Sequence, residues 1–381
     1  MAQNKTPRNV LLIRFSAIGD VAMTVPVIQS VAQSYPDIHF TVLSNARFAP
    51  FFEHMPENVS FWGVDLKKDY HGFGAMFKLF RQLRKRHFDA VADLHGVLRT
   101  TALSIFYRLC FVKVRRIDKD RRSRKRITRQ KNKDLTPRLT SFDRYRIVLE
   151  KLGFRFEMRF RSIFGEGKAD LSAVRNVVGE KDCIWVGIAP FAAHKGKIYP
   201  LYLMEEVVSQ IDSACLCRQF VFAYGKERSL VEEWAEKYRS VEIIDPRLGI
   251  GGELVLISNM EVMVAMDSSN MHLASITATP VVSVWGATHP AAGFMGWGQN
   301  PDDCIQLDLP CRPCSIYGKK ECMYGDYRCL TGIDPDTVFT KVKMQLGTVP
   351  NCIGNSGPML KRRSTALRLG RKPCFCLKTC Q

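Results

Sequence analysis

The feature that most constrains this chain is a repeated alternation of strand and helix. Residues 9–31, NVLLIRFSAIGDVAMTVPVIQSV, open with an unbroken apolar run (Val10, Leu11, Leu12, Ile13), cross a tight turn, FSAIGD, and continue with Val21, Val25 and Ile28 at helical spacing. An uninterrupted apolar run marks a strand buried on both faces, and immediate passage into a helix marks a crossover unit of a parallel sheet. VLLIRF, HFTVLS, VSFWGV and FDAVADLHG read as successive strands, with helical stretches such as residues 22–34 and 74–86 between them. The pattern thins near residues 155–172 and restarts with CIWVGIAP, QFVFAYG, VEIIDP, VMVAMDSS and PVVSVWG, with helices around 201–213, 227–238, 253–259 and 270–277. Two doubly wound α/β halves joined by one linker are expected. Periodicity is lost from residue 346 onward.

Several familiar chemistries are excluded. Neither half opens with a G-x-G-x-x-G turn, so no pyrophosphate cradle of the dehydrogenase kind is present, and there is no P-loop lysine motif or G-x-S-x-G elbow. No apolar run approaches the ~20 residues of a transmembrane helix. The polar N-terminus enters the first strand without a signal-peptide core, so a cytoplasmic protein is expected. A net charge of +19 over 381 residues asks for an anionic partner. The charge is concentrated in residues 113–133, KVRRIDKDRRSRKRITRQKNK, and in KRRSTALRLGRK near the C-terminus. Each run reads either as a solvated, mobile segment or as an electrostatic landing site. Nucleic acid is the weaker partner, because the runs lack interleaved aromatics for base stacking.

Ligands of open α/β sheets bind beyond the carboxyl ends of the strands. The polar residues there are Ser16 and Asp20, then His95 and Arg99 in DLHGVLRT. In the second half they are His194, Lys195 and Lys197, then Glu227, then Asp267, Ser268, Ser269 and His272, and finally Thr288. A carboxylate on one rim suits removal of a proton from a hydroxyl. Lysine charge and a helix N-terminus on the other suit a departing diphosphate. That pairing is what a two-domain sugar transferase needs.

IRFSAIGDVAMTVPVIQSV, DLHGVLRT, KIYP, MDSSNMHLASITATPVVSVWGATHP and CRPCSIYGKKECMYGDYRCL, in this order between residue 9 and about 345, resemble the ADP-heptose:lipopolysaccharide heptosyltransferases. The resemblance implies a GT-B fold, two Rossmann-like domains facing across a cleft, and inverting, metal-independent transfer with no cofactor. It implies an acceptor domain over residues 1–165 and a nucleotide-sugar domain over 166–345; beyond it, the loss of periodicity and the basic, cysteine-containing composition lead us to expect a disordered tail over 346–381. Asp20 corresponds to the family's base and Lys197 to its donor-diphosphate contact. Asp267, Ser268 and His272 correspond to its donor segment, and Ser269 and Glu227, taken from the strand ends, are expected on the donor side with them. His95, Arg99, Arg115 and Arg116 are expected on the acceptor side, facing a phosphorylated glycolipid at the inner, anionic face of the cytoplasmic membrane; no nucleic-acid partner is expected. Four positions depart from the family pattern. Ser269 replaces a glycine, Ala192 and Ala193 stand where Thr or Ser is frequent, and Tyr199 stands where Trp is common. They leave the transfer chemistry intact and bear on which nucleotide sugar is taken. A transferase of the same fold using another nucleotide sugar, and a non-catalytic basic protein binding lipid or nucleic acid, are the alternatives.

Among thirteen cysteines, Cys311, Cys314, Cys322 and Cys329 have the spacing C-x2-C-x7-C-x6-C. It fits either a structural zinc or thiols without metal. No D-x-D pair precedes the donor segment, since the DPD at 334–336 lies beside a late helix. A catalytic divalent ion is therefore not implied.

Overall fold

The structure, a computed structural model, describes residues 7–70, 74–214 and 217–347. The tail assigned to residues 346–381 lies, from residue 348 on, outside the described residues.

The alternating pattern folds into two parallel sheets. In the first, β1 (Asn9–Ile13), β2 (His39–Asn45), β3 (Val59–Val64), β4 (Ala90–Asp93) and β5 (Lys113–Arg116) lie in the order β3-β2-β1-β4-β5. In the second, β6 (Ile184–Ala189), β7 (Cys217–Val221), β8 (Val241–Ile243), β9 (Val262–Met266), β10 (Val281–Val284) and β11 (Cys304–Ile305) lie in the order β11-β10-β9-β6-β7-β8. Central position explains the apolar runs. Leu11 of β1 stands between Thr41 of β2 and Val91 of β4, and every residue of β9 is fully buried. In each sheet the strand order reverses beside the first strand, between β1 and β4 and again between β6 and β9. A crevice opens at such a point beyond the strand ends.

Three local expectations are corrected. The helix read over 22–34 is two helices, Ile18–Ala22 and Val25–Ser34. The ring of Pro26 would clash with the carbonyl four residues earlier, so one helix cannot run through. The basic run over 113–133, for which no regular element was expected, contains two. It begins as β5, an edge strand with Val114 packed opposite Val91, and continues into the helix Arg121–Ile127. Its charge masks this in the sequence, because an edge strand buries few side chains and basic residues are common there. The short strand β11 was likewise not expected.

The halves are tied together over a long seam. The Arg138 and Ser141 N–H groups donate to the Ala291 and Gly293 carbonyls at 2.9 and 3.2 Å, and the Ile163 N–H to the Ile276 carbonyl at 2.9 Å. Phe142 and Phe160 pack edge-on against Trp297, whose indole N–H donates to the Phe160 carbonyl. The helix Ile18–Ala22 lies against the helix Ser269–Ile276 of the other half. Gly19 permits that contact, because a Cβ there would stand 2.7 Å from Cδ2 of His272. Its role is close approach between the halves, since it sits inside a helix and not in the tight turn itself.

Candidate functional site

Asp20 is the third residue of the helix Ile18–Ala22, delivered by the turn that leaves β1. One carboxylate oxygen pairs with the Arg14 guanidinium at 2.5 Å and accepts the Ala17 N–H at 3.3 Å. Arg14 ends the buried run of β1 and is held by the Leu94 carbonyl after β4, at 2.8 Å. The acid is therefore aimed by a buried cation, while more than a third of its side chain stays open to the cleft.

Two pockets meet at this carboxylate. One, of about 370 Å³, is walled by Asp20 and Met23 from the first half and by Lys197, Glu227, Asp267, Ser268, Ser269 and His272 from the second. The other, of about 300 Å³, is walled by Arg14, His95, Lys119, Arg124, Arg144 and Tyr145. Ala17, Asp20, Phe294 and Tyr317 belong to both.

In the first pocket the Lys197 ammonium pairs with nearly buried Asp267 at 2.8 Å. Lys195, the other lysine of its loop, lies over the Tyr327 ring instead. Ser268 begins the helix Ser269–Ile276, yet its hydroxyl caps nothing, and the Ser268 Oγ, His272 Nδ1 and Thr288 Oγ1 are buried without partners among the described residues. Buried polar atoms left unpaired cost about 1–3 kcal/mol each. Beside a helix N-terminus, the Ser268 hydroxyl and the His272 ring nitrogen are poised for a bound anion or hydroxyl. Burial pushes the His272 imidazole down to about 4, with Lys197 adding to the effect against Asp267 and Asp20, so the ring is neutral near pH 7. Ser269 takes the first helical position and lines the pocket where the family pattern has glycine.

The second pocket is short of negative charge. Burial, then Arg14 and Lys119, push His95 down to about 3. Its Nδ1 accepts the Phe15 N–H at 3.4 Å, so the neutral ring carries its proton on Nε2. Burial and the neighbouring Arg14 and Arg121 also hold the Lys119 ammonium below its ordinary value. Arg124 donates to the Tyr317 hydroxyl at 3.0 Å and stacks over Phe294. Nε and Nη2 of buried Arg144, and Nε of Arg124, have no partner among the described residues. Guanidinium N–H groups buried beside a cavity without acceptors fit a carboxylate or phosphate.

Of the residues expected on the acceptor side, His95 lines this pocket. Arg116 pairs with buried Asp93 at 3.3 Å and lines a neighbouring open depression, whereas Arg99 and Arg115 are exposed and line neither pocket at Asp20. Arg14, Lys119, Arg144, Tyr145, Phe294 and Tyr317 escaped the reading of strand ends. A charge closing an apolar strand was the available signal for Arg14; Arg144, on the helix Ser141–Leu152, gave none.

The spacing of Cys311, Cys314, Cys322 and Cys329 left zinc and metal-free thiols both open, and in the fold the other three thiols lie near enough to Cys329 to act on it electrostatically. No three cysteine, histidine or acidic side chains among the described residues converge on a metal site. Cys329 faces the apolar core of the second half, where burial pushes its thiol up to about 11. The CRPC segment instead buries Arg312, which donates to the Gly286 and Thr288 carbonyls and pins the loop after β10.

A model of glycosyltransferase family 9 (heptosyltransferase) matches residues 76–326. Lipopolysaccharide heptosyltransferase 1 of Pseudomonas aeruginosa is 21% identical over 360 residues, spanning 88% of this chain and 98% of that protein. A glycosyltransferase family 9 structure from Veillonella parvula superposes with a TM-score of 0.67 at 17% identity, over 90% of this chain and 98% of that one. E. coli heptosyltransferase WaaC with ADP-2-deoxy-2-fluoro heptose gives 0.60 at 17% identity, over 88% and 99%. These structures share the two-sheet architecture described above.

Proposed function

Because the chain belongs to glycosyltransferase family 9, the heptosyltransferases, we propose that it transfers a heptose from ADP-heptose to a phosphorylated, lipid A-type glycolipid, with inversion at the anomeric carbon. The observation that carries this reading is Asp20 standing on the shared wall of two pockets, one with a lysine and a helix N-terminus, the other with Arg14, Lys119, Arg124 and Arg144 in its wall. The donor occupies the first and the acceptor the second. Donor class draws support from the E. coli relative, whose structure holds an ADP-heptose analogue. Acceptor class draws support from the Pseudomonas relative, named for lipopolysaccharide.

Asp20 accepts the proton of the acceptor hydroxyl as that oxygen bonds to the anomeric carbon. The bond from that carbon to the diphosphate oxygen breaks, and ADP leaves with the electron pair. Arg14 fixes the carboxylate in place through their ion pair. Lys197, itself oriented by Asp267, and the free N–H groups at the start of the helix Ser269–Ile276 receive the charge that develops on the leaving group. Attack and departure on opposite faces of the sugar give inversion. The diphosphate charge is met by Lys197 and the helix, so the step as written passes through no metal ion. His95 and His272, both neutral, donate or accept hydrogen bonds and carry no proton away.

In the test, purified protein receives ADP-heptose and a heptose-free lipid A-type acceptor. Release of ADP with an acceptor heavier by one heptose is expected. Transfer only from a UDP- or GDP-sugar would move the donor assignment to the alternative transferase. No transfer from any of them, with no thermal stabilisation by ADP, would remove the enzymatic reading.

A further inference from the structure

We propose that the outer face of the first half, formed by the helices Ala75–Arg84 and Leu98–Leu109, docks on an anionic lipid bilayer and inserts apolar side chains into it. This goes beyond the transfer reaction, and rests on that reading only in explaining why the face begins beside the cleft.

The helix Leu98–Leu109 buries Leu103 and Tyr107 against the first sheet and turns Leu98, Ile105 and Leu109 outward on one stripe. Leu98 is 88% exposed, Leu109 72% and Phe111, just past the helix end, 98%. Phe77 of the neighbouring helix is half exposed and meets Phe106 edge-on, which joins the two helices in one apolar surface. Singly exposed apolar residues are ordinary, but a contiguous group along a stripe marks an interaction site.

Phe111 is the sharpest sign. Its N–H donates to the Arg108 carbonyl, and the Val112 N–H to the Tyr107 carbonyl, which is the hydrogen-bond pattern that ends helices with a left-handed residue. That residue is normally glycine, yet Phe111 stands there at φ 60°. A bulky ring in the left-handed region is strained, and here it gains no packing in return. It is held where only an external apolar phase would reward it.

Charge names the occupant. Residues 74–88 and 94–117 contain no acid at all. Lys78, Arg81, Arg84, Arg99 and Arg108 are exposed around the apolar stripe. An apolar stripe flanked by basic residues is the pattern of helices that lie in an anionic membrane interface. A second copy of the same face would repel this one, and so would the basic segment near the C-terminus. Leu98 follows directly from β4 and His95, so the face runs from the cleft mouth, where a lipid-anchored acceptor enters.

Sedimentation of the full chain with vesicles tests the idea. Binding is expected to vesicles of phosphatidylethanolamine with phosphatidylglycerol and not to phosphatidylcholine alone. Leu109→Gln with Phe111→Gly should weaken it about tenfold or more, from lost apolar insertion. Phe111→Gly alone should weaken binding while leaving Tm unchanged or raised, since glycine suits that backbone. Each of Arg81→Ala, Arg84→Ala and Arg108→Ala should cost roughly fivefold, and salt should abolish the difference. ADP-induced thermal stabilisation stays as in the wild type throughout. Wild-type vesicle binding by the apolar variant would overturn the proposal. So would a concentration-dependent dimer broken by Leu109→Gln, or a salt-sensitive shift of RNA or DNA without vesicle binding. Vesicle binding without sugar transfer would leave the proposal standing and sink the catalytic reading instead.

Discussion

Gly19→Ala probes how closely the two halves must meet for catalysis. Gly19 sits inside the helix Ile18–Ala22 with an ordinary φ, so alanine gains up to about 1 kcal/mol of helix propensity. Against this, the new Cβ stands 2.7 Å from Cδ2 of His272 and 3.5 Å from Cα of Ser269. The His272 ring is buried at the seam and cannot swing aside as a flexible chain end would. Overpacking of that kind costs about 1–3 kcal/mol. The net loss is up to about 2 kcal/mol, taken mostly as a slight opening of the seam. Opening moves Asp20 away from the donor wall, and displacement of a reacting group by about 1 Å can cost roughly 10²-fold in turnover. We expect a lowered Tm, ADP affinity within about twofold of the wild type, and turnover reduced at least tenfold. Thermal denaturation, ADP titration and steady-state transfer measure the three. Adding His272→Ala, which removes the clashing ring, should make alanine at 19 neutral or favourable for Tm relative to His272→Ala alone. A Gly19→Ala protein with wild-type Tm and turnover would refute the argument that close approach is the reason for this glycine.

Asp20→Asn should keep ADP binding and lower turnover roughly 10²–10⁴-fold, the usual worth of a positioned base; near-normal turnover would leave Asp20 only its contacts to Ala17 and Arg14. Lys197→Met leaves the Asp267 carboxylate buried and unpaired, so stability should fall by about 3–5 kcal/mol along with ADP affinity. Adding Asp267→Asn should restore Tm but not ADP affinity, while Lys195→Ala should change neither. Arg144→Met removes a buried cation with unpaired N–H groups, so Tm should hold or rise, and the acceptor KM should increase about tenfold or more if the pocket receives an anion. The folded His272 titrates near 4 against about 6.5 unfolded, so between those values the unfolded chain holds the extra proton and stability falls as pH falls. At pH 5.5 the loss from this residue is about 1 kcal/mol, and denaturation of His272→Gln at pH 7.5 and 5.5 should show a shallower acid slope by that amount.

The alternation of buried runs and helices carried the two-sheet architecture in the sequence, because a strand covered on both faces has nowhere to place polar residues. The polar residues at strand ends were legible for the same reason, and Asp20, His95, Lys197, Asp267 and His272 all fall beside the points where strand order reverses. Which strand ends those would be was not legible. Strand order is a matter of long-range pairing, and nothing local distinguishes the end of β4 from that of β3. The elements within the basic run were not legible, since a charged edge strand and a helix with Arg124 turned inward look like a solvated loop when only their composition is read. Arg144 had no signal of its own; an arginine on an amphipathic helix becomes a site residue only when the turn after β1, the helix Ser141–Leu152 and the loop bearing Tyr317 close around one cavity. Sequence determined the elements and the chemistry offered at their ends. Tertiary structure alone decided which of those groups share a wall, because that depends on how two separately wound sheets meet across a seam whose closest approach depends on the missing Cβ of Gly19.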